Sequence, residues 1–252
     1  MKQYGIDVSE YQGLINWKKV SQQKDFAMIR AGFGVTASQI DPRFDENIGN
    51  AIDTGMHIGV YWFLYALNDD EAAKNATAFM SVLEPYKEKI DFPVVLDVEG
   101  DSIRYMRGQG VEPSKHNVSS MIRTFCDILE QHEWYVCVYS DNNFINTYFE
   151  KDILEKYDLW FAYWVNIFDP SYCTRNCGMW QYTNKGTVDG IDGCVDLDYT
   201  ERDYPDIIKS RGLNGYGKND NMIPVPISNT LIESGTVSET ATQILIVLNK
   251  KV

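Results

Sequence analysis

The chain has 252 residues, of which 44% are hydrophobic and 23% are charged. These proportions are typical of a soluble globular protein, and the length suits one large domain or a slightly smaller domain with an appendage. The formal net charge of −13 argues against nucleic acid as a partner, because phosphate backbones are bound mainly through Lys and Arg.

Short apolar runs alternate with helical patterns along the chain. The apolar runs predict eight strands, at residues 4–9, 26–32, 57–65, 92–100, 134–139, 158–164, 178–183 and 194–198. Between them we expect helices, including one capped by Asn16, one that opens with Asp41 as its cap and ends at Gly55, and a single helix over residues 142–157. Gly100 is expected to lead from its strand into a loop.

Strands that alternate with helices predict parallel pairing through right-handed crossovers, and eight strands at this length predict a closed barrel. The later strands are joined by loops too short for full helices, so the ring of helices should be incomplete. The predicted fold class is therefore α/β, an irregular TIM-like (β/α) barrel of eight strands. We expect it to occupy residues 1–212, followed by a linker and a short C-terminal tail at residues 213–252.

Two carboxylates lie at the end of the strand predicted at residues 92–100. Asp97 and Glu99 are two residues apart, so they share one face, with Cα atoms roughly 6.5 Å apart. Such a pair is common and means little alone. In a barrel, however, the carboxyl ends of the strands gather around one mouth, which would bring Asp7 and Asp196 beside it.

Aromatic residues fall near the same strand ends, and we expect them to bind substrate: Tyr61, Phe63, Tyr65, Tyr139, Trp164 and Trp180. On the strand at residues 57–65, Trp62 and Leu64 occupy the opposite face and should pack in the core. An acidic cleft lined by aromatic side chains suits the binding of a neutral or acetamido sugar chain.

The five cysteines are an odd number. Cys126 and Cys137 lie in apolar stretches, where a small buried thiol is expected. Cys173, Cys177 and Cys194 have a spacing that suits a metal ion or a disulfide. Because no histidine lies near them, we expect no metal and no cofactor, and a local disulfide stays open.

A series of short motifs occurs in order over residues 1–204: Gly5-Ile6-Asp7-Val8-Ser9-x-Tyr11-Gln12-Gly13, Asp41-x-x-Phe44-x-x-Asn47, Gly59-x-Tyr61-x-Phe63, Pro93-Val94-Val95-Leu96-Asp97-Val98-Glu99, Trp180-Gln181-Tyr182 and Gly190-Ile191-x-Gly193-x-Val195-Asp196-Leu197. This combination resembles the glycoside hydrolase family 25 lysozymes, which include many phage endolysins and bacterial autolysins.

The resemblance implies an enzyme, a muramidase that lyses bacterial cell walls by hydrolysing the β-1,4 bond between N-acetylmuramic acid and N-acetylglucosamine in peptidoglycan. The family's four acidic positions correspond here to Asp7, Asp97, Glu99 and Asp196. Asp192 and Asp198 lie close to Asp196 in the sequence, so they are alternatives for the fourth position.

Glycoside cleavage requires an acid that protonates the leaving oxygen and a negative group that supports the oxocarbenium-like centre. We expect Glu99, with a raised pKa, to be that acid. Asp97 should stay ionised and orient the 2-acetamido group of the substrate as it attacks. Asp7 and Asp196 should tune the charge and hold the sugar or a water molecule.

Two other functions are compatible with the sequence, a non-catalytic glycan-binding barrel and a chitinase-like glycosidase. The N-terminal residues contain no apolar stretch of the kind found in signal peptides, and no segment reads as a transmembrane helix. We therefore expect synthesis in the host cytoplasm, no membrane insertion, and action on the cell wall after release. This favours a phage endolysin over a secreted autolysin.

The tail contains Thr236-x-x-Glu239, which resembles a capping box and predicts a helix from Ala241, whereas the β-rich residues 244–248 are equally compatible with a strand. For this apolar end we expect packing on the barrel or self-association. A wall-binding remnant and disorder are the alternatives.

Overall fold

The computed structural model describes residues 2–164 and 177–217 and, for the backbone, residues 224–228 and 241–245. Within these ranges no helix combines the length and the hydropathy needed to cross a lipid bilayer.

Eight strands form a closed barrel in which each strand pairs with its neighbour in sequence and the eighth pairs with the first. They are β1 Gln3–Val8, β2 Phe26–Phe33, β3 His57–Phe63, β4 Val94–Asp97, β5 Val136–Asp141, β6 Asp158–Ala162, β7 Cys177–Gly186 and β8 Val195–Thr200. The predicted eight-stranded barrel is confirmed.

The pairing differs from the prediction at one strand. Strands β1 to β7 run parallel, but β8 runs antiparallel to both β7 and β1. The connection from β7 to β8, residues 187–194, is a short loop without a helix. Because a parallel neighbour requires a crossover of a dozen or more residues, so short a loop permits only antiparallel pairing. The same loop leaves the ring of helices incomplete, as expected.

The described helices lie outside the barrel and are α1 Trp17–Val20, α2 Phe44–Asp53, α3 Asp69–Leu83, α4 Gly100–Gly108, α5 Lys115–Gln131, α6 Asn142–Tyr148, α7 Lys151–Lys156 and α8 Tyr204–Ser210. As predicted, Asn16 caps α1, accepting a hydrogen bond from the Lys19 amide. The prediction of a loop after Gly100 is wrong, because Gly100 is the first residue of α4. The helix expected over residues 142–157 is two helices, separated by extended backbone at Phe149 and Glu150.

Asp41 does not cap α2, contrary to the prediction. The cap position belongs to Arg43, whose side chain makes no capping bond. The Asp41 carboxylate instead accepts hydrogen bonds from Arg30 Nε at 2.6 Å and from the Arg43 amide at 2.8 Å. The ion pair with Arg30 therefore fixes Asp41 one turn ahead of the helix. The apolar face predicted for α2 is buried at Phe44, Ile48 and Ala51.

Side chains that alternate along the strands separate two apolar clusters. One fills the barrel interior and includes Met28, Val95 and Met179. The other lies between the barrel and its helices and includes Trp62 and Leu64, as predicted. Gly59 leaves the room that the interior needs, because a Cβ there would lie 2.3 Å from the Met28 sulfur.

The cysteines follow the expectation in part. Cys126 and Cys137 are free and buried in the core, and Cys194 is free and exposed. Cys177 is disulfide-bonded. Cys173 lies outside the described residues.

The barrel extends past residue 212, where the linker was predicted to begin. Asn214 is fully buried, and its side chain accepts a hydrogen bond from the Tyr135 amide at 2.8 Å and donates to the carbonyl oxygens of Ile90 and Phe92 at 3.0 and 3.1 Å. Its neighbours Leu213 and Tyr216 pack against the interior cluster. These residues therefore close the end of the barrel opposite the mouth.

Two strands of the tail are described, β9 Pro224–Ser228 and β10 Ala241–Leu245, and they pair antiparallel. The helix expected from Ala241 is thus wrong over residues 241–245, and the strand alternative, made for residues 244–248, is confirmed at residues 244 and 245; residues 246–248 lie outside the described residues. The capping box at Thr236 and Glu239 lies outside the described residues.

We expect Asn214→Ala to lower the free energy of unfolding by about 3 kcal/mol, because the substitution leaves buried backbone groups without partners and places alanine in a left-handed conformation. The φ angle of Asn214 is 54°. Asn214→Gly should lose about 1 kcal/mol less, since glycine adopts this conformation without strain. Urea unfolding of the three proteins measures both values. A loss below about 1 kcal/mol for both variants would contradict the closure described here.

Candidate active site

A cleft of about 610 Å³ opens at the mouth where the parallel strands end. The four carboxylates predicted for the site line it together: Asp7, Asp97, Glu99 and Asp196. Five of the six predicted aromatic residues also line it, namely Tyr61, Phe63, Tyr65, Tyr139 and Trp164. The cleft is also lined by residues that the prediction did not include, among them Tyr11, Arg30, Phe33, Trp160 and Gln181.

The Asp97 and Glu99 pair spans the junction between a strand and a helix. Asp97 is the last residue of β4, and Glu99 occupies the cap position of α4. Val98, between them, is fully buried on the opposite face. The Glu99 amide donates to Ser102 Oγ at 3.4 Å. The strand thus fixes Asp97 and the first turn of the helix fixes Glu99.

Asp196 reaches the mouth by a different route from the one expected. It is the second residue of β8 rather than a residue at its carboxyl end. Because β8 runs antiparallel, its beginning lies at the mouth, and Asp196 pairs with Asp7 across the two strands.

The other two aspartates near Asp196 have different environments. Asp192 is exposed in the loop before β8. Asp198 is 0% exposed and lies two residues further along the same strand face, below the cleft. Its Oδ1 accepts a hydrogen bond from Trp160 Nε1 at 2.8 Å. The cleft therefore has a further carboxyl group beneath it.

Burial raises the pKa of these acids. Asp7 and Asp97 have pKa values well above the usual range because of burial, and neighbouring carboxylates raise them further, chiefly Asp198 for Asp7 and Glu99 for Asp97. Burial also raises the pKa of Asp196 to about 6 and that of Asp198 to about 8.

The pKa of Glu99 is raised as well, first by burial and then by the negative charge of Asp141, while Arg104 opposes the shift. The expectation of a raised pKa at Glu99 is thus confirmed. The ionised state of Asp97 stays a prediction, because burial and the charge of Glu99 raise its pKa whereas Arg30 lowers it. The acids of the mouth share protons as a coupled group.

Trp180 does not line the cleft, contrary to the prediction. It is fully buried, and its Nε1 donates to the Tyr163 carbonyl at 2.9 Å. Side chains alternate along β7, so the neighbouring Gln181 takes the inward position instead.

Gln181 joins several parts of the site. Its Nε2 donates to Asp7 Oδ2 at 2.8 Å, and its Oε1 accepts hydrogen bonds from Tyr139 Oη at 3.1 Å and Trp164 Nε1 at 2.9 Å. The prediction missed Gln181, although the sequence held a signal for it: Gln181 is the one polar residue between the aromatic Trp180 and Tyr182, on the opposite strand face from both.

No three His, Cys, Asp or Glu side chains in the described part of the chain are arranged to hold a metal ion. The chemistry available from these residues is that of carboxyl groups, with Arg30 as the one cation among the described lining residues.

A barrel mouth that pairs buried carboxylates with aromatic walls is an arrangement typical of glycoside hydrolases. A sequence profile described as glycosyl hydrolases family 25 matches residues 6–191, and the chain belongs to this family.

Relatives in sequence and structure agree with this assignment. The chain is 28% identical over 195 residues to the autolytic lysozyme of Clostridium acetobutylicum, covering 77% of this chain and 54% of that protein. It is 30% identical over 208 residues to lysozyme M1 of Streptomyces globisporus, covering 76% and 65%. The bacterial lysozyme from Streptomyces coelicolor has a similar structure, with a TM-score of 0.67, 25% identity, and coverage of 85% and 98%.

The modular autolysin LytC from Streptococcus pneumoniae, solved in complex with a synthetic peptidoglycan ligand, has a TM-score of 0.66 and 28% identity, covering 79% of this chain and 46% of LytC. The chain therefore spans about half the length of LytC and of the autolytic lysozyme.

We expect Asp198→Asn to stabilise the protein by more than about 1 kcal/mol at pH 7 and to raise Tm by a few degrees. The folded protein retains the Asp198 proton up to a pKa of about 8, whereas the unfolded chain releases it above about pH 4. Wild-type stability therefore falls as the pH rises through this interval, and asparagine removes the effect while its Oδ1 still accepts from Trp160.

Thermal unfolding of both proteins at several pH values checks this expectation. The difference in Tm should grow from acid to neutral pH. An equal difference at all pH values, or none, would show that Asp198 is ionised in the folded protein.

Proposed function

We propose that this chain is a peptidoglycan hydrolase that cleaves the β-1,4 bond between N-acetylmuramic acid and N-acetylglucosamine. The observation that carries the proposal is the Asp97 and Glu99 pair in an acidic cleft walled by rings, on a chain that belongs to family 25. The relatives called lysozymes and the peptidoglycan ligand bound by LytC support the choice of substrate.

Glu99 is the proton donor in this mechanism. Its raised pKa favours the protonated form that a leaving oxygen requires. It is also the more accessible member of the pair, since Asp97 is 5% exposed and Glu99 is half-buried. A bound glycosidic oxygen therefore meets Glu99 at the edge of the cleft.

Asp97 accepts the N–H of the 2-acetamido group of the substrate. Its Oδ1 is buried and has no hydrogen-bond partner among the described residues, which is costly unless a ligand supplies a donor. An acetamido N–H placed there satisfies this oxygen and lowers the pKa of Asp97. Asp97 then becomes an anion on substrate binding, and its charge in turn favours the protonated form of Glu99.

The anionic Asp97 orients the acetamido group so that its carbonyl oxygen attacks the anomeric carbon while Glu99 protonates the leaving oxygen. This is the substrate-assisted form of glycoside hydrolysis. Water then opens the cyclic intermediate, with Glu99 accepting its proton. Asp196, with a pKa of about 6, is ionised at neutral pH and supplies negative potential that supports the oxocarbenium-like centre, while Asp7, held by Gln181, stands beside it.

The aromatic residues supply the flat apolar surfaces on which sugar rings pack. Tyr61 and Tyr139 stand against Trp160, with ring centroids 5.7 and 4.6 Å apart, and so form a rigid floor. Trp164 is 55% exposed at the rim. Peptidoglycan strands are the partner that follows from this arrangement, and the bacterial cell wall is the place of action.

We expect Glu99→Gln to lower kcat on purified peptidoglycan about a hundredfold to ten-thousandfold, because the amide cannot donate the proton to the leaving oxygen. Glu155→Gln is the matched control, since Glu155 is exposed on α7 and pairs only with Lys151 among the described ion pairs. Mass spectrometry of the released muropeptides identifies the bond, because a reducing N-acetylmuramic acid end requires muramidase cleavage.

Retention of most activity by Glu99→Gln would contradict the assignment of the acid. A reducing N-acetylglucosamine end, or cleavage of chitin in preference to peptidoglycan, would contradict the proposed specificity. Binding of glycan without any released ends from the wild type would favour a non-catalytic barrel.

A further inference from the structure

Tyr11 is the most exposed large aromatic residue at the described rim of the cleft. It lies in the 3₁₀ turn Glu10–Gln12, directly after β1, and its side chain lines the cleft with 80% of its surface exposed. Exposure of so large a ring leaves apolar area in water, which a ligand would cover. Nothing in the proposed cleavage step uses this residue.

The ring of Tyr11 packs against a largely buried arginine, Arg30. The Arg30 guanidinium carbon lies 5.1 Å from the ring centroid, so one face of the ring meets a cation. Because the residue remains 80% exposed, its other face is open to solvent. A cation over one face fixes the orientation of an aromatic ring without covering the opposite one.

Arg30 is itself fixed by two carboxylates. Its Nε donates to Asp41 Oδ2 at 2.6 Å, and its Nη2 donates to Glu10 Oε1 at 2.9 Å. The Asp41 side chain has no exposed surface, and the Arg30 side chain is 13% exposed. A buried ion pair with this geometry has little freedom, so the guanidinium is a firm support.

The same aspartate holds the turn that carries Tyr11. Asp41 Oδ2 also accepts a hydrogen bond from the Glu10 amide at 3.0 Å. The turn is closed further by Gln12, whose Oε1 accepts from the Ser9 amide at 2.8 Å. Asp41 thus fixes the position of Tyr11 in two ways. It holds the backbone of the turn through the Glu10 amide, and it holds the Arg30 guanidinium that packs on the ring.

We propose that Tyr11 is a sugar-stacking platform at one rim of the cleft, held in place by Asp41 and Arg30 as positioning residues. This inference rests on the proposed function and extends it to the length of the substrate. Trp164 lies beyond β6, three strands from β1 in the order β1, β8, β7, β6. Platforms at two separated points of the rim indicate an extended glycan chain of acetamido sugars rather than a single disaccharide.

The direct test uses soluble, uncross-linked glycan strands from peptidoglycan. We expect Tyr11→Ala to raise KM about tenfold, with a smaller change in kcat, because the residue binds a sugar remote from the reacting atoms. Tyr11→Phe should keep KM within about twofold of the wild type, since it retains the ring. Tyr4→Ala is the matched control, because Tyr4 is 38% exposed at the other end of β1, away from the described cleft lining.

Binding separates this inference from the proposed cleavage. Calorimetry with the Glu99→Gln protein measures affinity for the same strands without turnover, and adding Tyr11→Ala should weaken binding about tenfold. Unchanged affinity would overturn the platform even if the wild type cleaves peptidoglycan. Weakened affinity with no cleavage by the wild type would sustain the platform and refute the proposed hydrolysis.

A double-mutant comparison tests the positioning residues. Asp41→Asn should raise KM in the protein that retains Tyr11 but add little in the Tyr11→Ala protein, because its effect passes through the ring. Thermal unfolding confirms that each variant is folded at the assay temperature. Equal fold-changes in the two backgrounds would show that Asp41 acts independently of Tyr11 and would overturn its role.

Discussion

Enclosure of several carboxylates in one barrel mouth is the constraint on which the rest of this structure depends. Asp7, Asp97 and Asp198 are 6%, 5% and 0% exposed, and Arg30 is the one cation among the described residues that line the cleft. Burial and mutual repulsion both favour the protonated forms of these carboxyl groups, so they stay protonated at pH values where exposed acids are ionised. Such a site holds an acid ready for proton transfer near neutral pH.

The direction of β8 decides how this cluster is assembled. In a barrel of parallel strands, residues at the start of a strand lie at the end opposite the active site. The short β7–β8 loop reverses the last strand, so that Asp196 faces Asp7 at the mouth and Asp198 lies directly below. The short loop therefore sets the positions of two carboxyl groups of β8, the partly buried Asp196 and the fully buried Asp198.

The sequence predicted the barrel and the meeting of Asp7, Asp97 and Glu99, because apolar runs and strand ends carry that information, whereas Asp196 was placed with them by the family motif and lies at the start of an antiparallel strand. It misplaced Trp180, since a motif gives residues but not which face of a strand turns inward. It also assigned Asp41 to a helix cap, because the local pattern Asp-Pro has that meaning when no distant cation competes. The ion pair with Arg30 is a tertiary contact that no local pattern contains.

In the proposed mechanism the acids and the bound substrate form one electrostatic system, in which an acetamido N–H at Asp97 moves the proton toward Glu99. The most direct test is a pH titration of the side-chain carboxyl ¹³C resonances in the wild type and in Glu99→Gln. The account predicts at least one carboxyl that titrates above about pH 6, and a lower pKa of Asp97 in the variant, because Glu99 raises it. Titration of every Asp and Glu side chain below about pH 5 would contradict it.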